Sequence, residues 1–160
     1  LDPATLPWPM GAWMAPAAAQ SAGLHGTAAA LAAAICERAY RFWDARSHTH
    51  GHTLPGISCE FWPPDGRCGG EGYGWGAFTA HLLLHVILGL APDQNVLRLR
   101  PNLPVQWRGA GERYGVRLQW RERIITIELV PAQSGVLVRA NRQSAEVMWG
   151  DELVYRLEDL

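Results

Sequence analysis

Phe78-Thr-Ala-His-Leu-Leu-Leu-His-Val-Ile-Leu-Gly-Leu90 is the longest apolar run of the chain, broken only by His81 and His85. Its 13 residues fall short of the roughly 18 needed to cross a bilayer, so it reads as a buried core helix from about Trp75 to Leu88, with Gly89 as its stop. A helix apolar nearly all round needs partners on most sides. Upstream, the pattern predicts a helix from about Gly11 to Ala22, ended by Gly23. Pro16 kinks it or marks its first turn. A second helix is expected from about Gly26 to Arg46, with Leu31, Ile35, Ala39, Phe42 and Arg46 on one stripe. Three such helices cannot close a core alone, so the helical half reads as part of a larger helical array.

Composition changes near Pro92. Residues 1–92 hold 10 charged side chains and residues 93–160 hold 19. The second stretch alternates with period two. Val116, Leu118 and Trp120 face one way, Arg117, Gln119 and Arg121 the other. Ile125, Ile127 and Leu129 follow a tight turn at Arg121–Arg123, then Val136 and Val138, Val147 and Trp149, and Leu153, Tyr155 and Leu157 after Gly150-Asp151. Short strands with turns between them imply antiparallel pairing. About six strands suit a small sandwich or half-sandwich. The expected class is α+β, with a helical part at 1–92 and an antiparallel β-domain at 93–160.

With 48% hydrophobic and 18% charged residues, disorder is unfavoured. A net charge of −1 argues against a nucleic-acid groove or a polybasic membrane patch. All 14 basic residues are Arg, which excludes a lysine Schiff base and a Walker-type phosphate lysine. The Arg-only, Ala-rich composition fits a GC-rich bacterial source and a cytoplasmic protein. Three Cys without C-x-x-C spacing are too few for a disulfide scaffold or a structural zinc module. The chain begins at Leu1, and the expectation is the C-terminal piece of something longer.

Between the second and third helices, Ser47 to about Gly74 is expected to be a long loop rich in Gly, Pro and His. Within it, Glu60 sits beside Phe61 and Trp62. An acid held against aromatic faces is partly desolvated, which raises its pKa. A carboxylate next to an indole suits a sugar site, where the ring stacks on the Trp and the acid moves a proton. The plainer reading is a surface acid beside a core-plugging Trp. Glu71 lies further along, either a substrate ligand or base, or a loop acid favoured by the third helix's dipole. His48, His50 and His52 alternate. Without a clear fourth ligand a metal is not expected; His50 is a candidate contact to sugar hydroxyls at the mouth of the site. Trp13 and Trp62 read as sugar platforms and Trp75 as site wall, against core packing. For Trp107, Trp120 and Trp149 core packing is favoured. His81 and His85 read as core histidines, Cys36 as buried and inert, and Cys59 and Cys68 as thiols that could bridge.

Glu60-Phe-Trp, Asp65-Gly66 and Gly69-Gly-Glu71-Gly-Tyr73-Gly-Trp75 at the start of a helix together resemble the C-terminal catalytic signature of trehalase-like six-hairpin (α/α)-barrel glycoside hydrolases. Trp8-Pro-Met-Gly-Ala-Trp13-Met-Ala-Pro16 is similar to the trehalase stretch Trp-Asp-Tyr-Pro-Asn-Gly-Trp-Ala-Pro. It lacks the Asp and the Asn, which leaves the substrate open. The processing-glucosidase and mannosylglycerate hydrolase group also has a Trp-Pro here and a Glu before a Gly-Trp helix. Ile87-Leu-Gly-Leu90, Pro101-Asn-Leu-Pro104 and Trp107 resemble the junction of α-L-rhamnosidases, where the last barrel helix leads into a C-terminal β-domain. The resemblance spans roughly residues 8–157 at superfamily level. It implies that Glu60 is the general base of an inverting hydrolase acting on an oligosaccharide or small glycoside, without metal or organic cofactor. The general acid would lie upstream of this chain, so the 160 residues alone are expected to be inactive. A non-catalytic carbohydrate-binding or structural module is the reading from a different class.

Overall fold

The computed structural model describes residues 9–50, 58–59, 71–73 and 76–160. They form a mixed α+β chain in two compact units, Leu1–Ile87 and Leu88–Leu160. No helix among the described residues is long and apolar enough to cross a membrane.

In the first unit, α1 (Pro9–Ser21) and α2 (His25–His50) are joined by a tight turn. Gly23 adopts φ 74°. Its amide donates to the Gln20 carbonyl at 3.0 Å, and the Leu24 amide donates to Ala19 at 2.9 Å. This closes the end of α1 in a Schellman pair, and the left-handed conformation it needs suits glycine. Pro16 lies inside α1 and is buried. The buried face of α2 matches the expected stripe at Phe42 and departs from it elsewhere. Ala28, Ala29, Ala32 and Ala33 are fully buried along with Phe42, whereas Leu31 is 37% exposed. Small side chains let helix axes approach, so the alanine face packs and the larger Leu31 is left outward.

The third helical segment also differs from expectation. It is α-helical over Gly76–His81 (α3) and π-helical over Leu82–Ile87. Leu82, Val86 and Ile87 are buried, but Leu83 is 38% exposed and His81 is exposed. Burial is one-sided because, among the described residues, α1 and α2 supply most of what covers this segment. The long loop expected from Ser47 is also shorter. α2 continues to His50, and β1 (Ser58–Cys59) pairs antiparallel with β2 (Glu71–Tyr73).

The second unit holds two antiparallel sheets, ordered β3-β4-β9 and β5-β6-β7-β8. The strands are β3 (Leu90–Asp93), β4 (Val96–Leu99), β5 (Tyr114–Trp120), β6 (Arg123–Pro131), β7 (Gly135–Ala140), β8 (Gln143–Met148) and β9 (Leu153–Arg156). The alternation read at 116–120 and 125–129 is the observed one. Ile125, Ile127 and Leu129 are buried, and Arg117 and Gln119 are exposed. The β3–β4 hairpin was not anticipated. Ala91-Pro92 looks unlike a strand, yet β3 is an edge strand, where a proline costs no ladder bond. Trp107, Trp120 and Trp149 are half-buried rather than core residues. Trp107 stacks on Tyr114 at 5.6 Å, and Arg108 lies over the Trp149 ring at 4.0 Å while its Nε donates to the Leu103 carbonyl at 2.8 Å. These rings cap the margin of the unit, where half an indole stays wet.

Two polar devices hold the sheets in register. Asn141, at φ 51°, starts the β7–β8 turn. Its Oδ1 accepts from the Thr126 amide at 2.9 Å, and its Nδ2 donates to the Leu160 main-chain oxygen at 2.6 Å. With Arg123 donating to Leu157 and Gln143 to Asp159, the segment after β9 is fastened to the four-stranded sheet. Across that sheet's solvent face, Glu128 takes Arg139 at 2.6 Å and Arg113 at 3.3 Å. The Arg139 hydrogen bond is the largest cause holding its carboxyl below the usual 4.5.

Gly89 (φ 73°) sets the start of the second unit. A Cβ there would run into the Arg100 carbonyl, whose own amide donates to the Gly89 oxygen at 3.0 Å. Gly89→Ala is expected to lower stability by at least about 2 kcal/mol through strain and collision, read as a drop in thermal midpoint. For Glu128 the folded pKa is depressed. Its contribution is therefore present above the ordinary carboxylate value and lost as pH falls through the folded one. Glu128→Gln should lose a little stability at pH 7 and show a shallower decline below about pH 4.5. High salt should shrink the difference, because the pair faces solvent. Thermal melts across pH and salt check this.

Candidate functional site

The first unit gathers segments that are far apart in sequence. α1 presents Trp13, whose indole stacks on Phe78 of α3 with centroids 5.4 Å apart and planes 21° apart. His81, one turn further along α3, meets Trp13 edge-on at 5.7 Å. The π-helical turn that follows sets His85 4.8 Å from His81, ring to ring. π-turns are rare and often occur at functional positions. The Gln20 side chain donates to the His85 carbonyl at 3.4 Å, a second tie between α1 and this helix. The thiol of Cys36 on α2 donates to the Thr79 carbonyl at 3.8 Å.

Electrostatics divides these groups. Burial, and secondarily Glu37, pushes the Cys36 thiol up to about 11. It stays protonated at neutral pH and is a poor nucleophile, though half-buried rather than buried as expected. His81 is held below its usual value by desolvation first and by His85 second. It is neutral at pH 7, with a ring nitrogen available to accept a proton or a hydrogen bond. The indole Nε1 of Trp13 is buried with no acceptor among the described residues. Such a donor costs roughly 1–3 kcal/mol if left unpaired.

The expected site residues fall unevenly. Trp13 is half-buried at the α1–α3 contact, with one indole face covered by Phe78. Glu71 heads β2, its backbone opposite Cys59, the residue before Glu60. His50 ends α2. Among the described residues no cluster of three potential ligands exists. Glu60, Trp62, Trp75, His52 and Cys68 lie outside the described residues. Phe78 and His81 were missed as partners of Trp13, and His81 is exposed rather than a satisfied core histidine. The signal was present: Phe78 and His81 are three apart on one helix, hence on one face. No protein-family profile, curated protein or solved structure matches the chain.

Lowered in the folded state, the His81 pKa makes protonation destabilising. Stability is full above the ordinary histidine value and declines as pH falls from about 6.5 toward the folded value. The thermal midpoint should drop between pH 7 and pH 5, and His81→Gln should flatten that drop. An equal drop in the variant would contradict this account.

Proposed function

We propose that this chain is the C-terminal portion of a six-hairpin (α/α)-barrel glycoside hydrolase, followed by a sandwich-like β-domain. The observation that supports it best is the packing of Trp13, from the Trp-Pro motif, onto Phe78 and His81 of the helix that follows the Gly-rich run. Two stretches of the signature, some 60 residues apart, thus share one locus. Separately, the β1–β2 pair sets the residue before Glu60 opposite Glu71. The exposed apolar residues of the helical unit, Met14, Leu24, Leu31, Tyr40 and Leu83, are what a slice of a larger helical ring would present.

In this reading the Glu60 carboxylate takes a proton from a water. The water oxygen bonds to the anomeric carbon as the bond to the leaving oxygen breaks. A carboxylic acid from the upstream part of the protein protonates that oxygen from the opposite face, roughly 6.5–9.5 Å away. Trp13 and Trp62 stack on the sugar, Trp75 walls it, and Glu71 and His50 contact its hydroxyls. No metal or organic cofactor takes part. Among the hydrolases, an α-L-rhamnosidase-like specificity is favoured over a trehalase-like one. The specific observation is the antiparallel β unit that begins within three residues of the last helix, at the Gly89–Arg100 contact.

The test is Glu60→Gln in the product of the complete reading frame, assayed on a panel of nitrophenyl glycosides. Turnover should fall at least about 100-fold while sugar binding stays within a few-fold. Rhamnoside and glucoside rates separate the two specificities. Near-normal turnover by the variant would sink the assignment. Absence of hydrolysis in the parent, with binding indifferent to the Glu60 charge, would favour the non-catalytic carbohydrate-binding module.

A further inference from the structure

The solvent face of the four-stranded sheet holds more positive charge than its ion pairs use. Register places Gly115, Glu128 and Arg139 in one row across β5, β6 and β7. The next row holds Arg117 and Thr126, with Asn141 beyond. Side chains two apart on a strand share a face, so Arg117 stands over the same side as the bare Gly115 position. Arg113 reaches that side from the start of β5, bonding Glu128 at 3.3 Å. Glycine leaves its place without a side chain, and the rows frame a shallow, open hollow of about 500 Å³ lined by Arg113, Arg117, Thr126, Glu128 and Arg139 among others.

The charges in this hollow do not balance. Three guanidiniums face one carboxylate. Glu128 is already shared between Arg139 and Arg113, one on each oxygen. Arg117 is exposed and has no ion pair or hydrogen bond among the described residues. Two positive charges are therefore in excess over a floor without a side chain. A planar guanidinium fork matches the two oxygens of a carboxylate or sulfate. The Thr126 hydroxyl beside it can donate to the same group or to a neighbouring hydroxyl.

We propose that this hollow is an oxyanion-binding site. It takes a carboxylate or sulfate group on a small polar ligand about the size of one sugar ring, with Arg117 as the primary contact. Glu128 spaces Arg113 and Arg139 and competes with the ligand for them. The proposal does not rest on the hydrolase reading, since it involves no residue of the Glu60 loop.

The experiment follows backbone amide signals of the full chain by NMR while sodium glucuronate, sodium sulfate or glucose is added at constant ionic strength. Saturable shifts at Gly115, Arg117, Thr126 and Asn141 are expected with an anion and not with glucose. A response to glucuronate alone identifies the carboxylate as the ligand group. A response to sulfate identifies the tetrahedral oxyanion. Arg117→Ala should weaken binding at least ten-fold. Glu128→Gln should tighten it several-fold, because the competing carboxylate is gone; a merely structural role for Glu128 would give weakening instead. Equal shifts with glucose, no saturable shift with either anion, affinity unchanged in Arg117→Ala, or weakening in Glu128→Gln would each overturn the proposal.

Discussion

The β unit depends on the pairing of its last strand with its second. β9 adds to β4, setting Leu97 opposite Tyr155 and Leu99 opposite Leu153. Without that pairing β3 and β4 would be an isolated four-residue hairpin, which is marginal in water. The buried face made by Leu90, Leu97, Leu99 and Tyr155 would then lose its third strand. The chain between β4 and β9 contains the whole four-stranded sheet, so this pairing closes a loop of more than 50 residues. Such long-range closure costs loop entropy before it returns any contact. The bonds from Arg123, Asn141 and Gln143 to the segment after β9 offset part of that cost.

The helical unit solves a different problem. Its tightest packing uses alanines, which bury little apolar area each but let α1 and α2 approach closely. The large side chains are then distributed at the margins. Phe42 and Leu82 go inward, while Leu31, Tyr40 and Leu83 remain on the outside. Trp13 lies between these regimes. Its ring is held by Phe78 and His81, yet its N–H is left without an acceptor among the described residues. An indole held rigidly between two helices, one face against Phe78, is what relates the packing of the helices to the proposed chemistry.

Legibility differed from segment to segment for identifiable reasons. The strands at 114–131 were readable because one face is buried and one is wet, so burial imposes period two on residue choice. Gly23 and Gly89 were readable as helix stops because the left-handed conformation there suits glycine. The buried face of α2 was misread because a stripe of large apolar residues outweighs alanines in any periodicity argument. The β3–β4 hairpin was missed because four-residue strands with a proline carry almost no pattern. At the site, the aromatic and acidic residues around Glu60 announced themselves by type. For the Trp13–Phe78–His81 contact, spacing put Phe78 and His81 on one face, but which distant residue meets that face depends on how two helices pack.

By itself, the sequence determined the α+β character, the change of composition near Pro92 and the motif on which the proposed chemistry rests. These are local properties, set by periodicity, backbone conformation and side-chain chemistry. Tertiary structure alone decided which helix face is buried and that β9 returns to β4 instead of extending beside β8. It also decided that Arg113 and Arg139 share the Glu128 carboxylate, with Arg117 in the adjoining row. Each of these depends on which distant segments meet, and that is settled by the summed packing of the whole unit rather than by any window of residues.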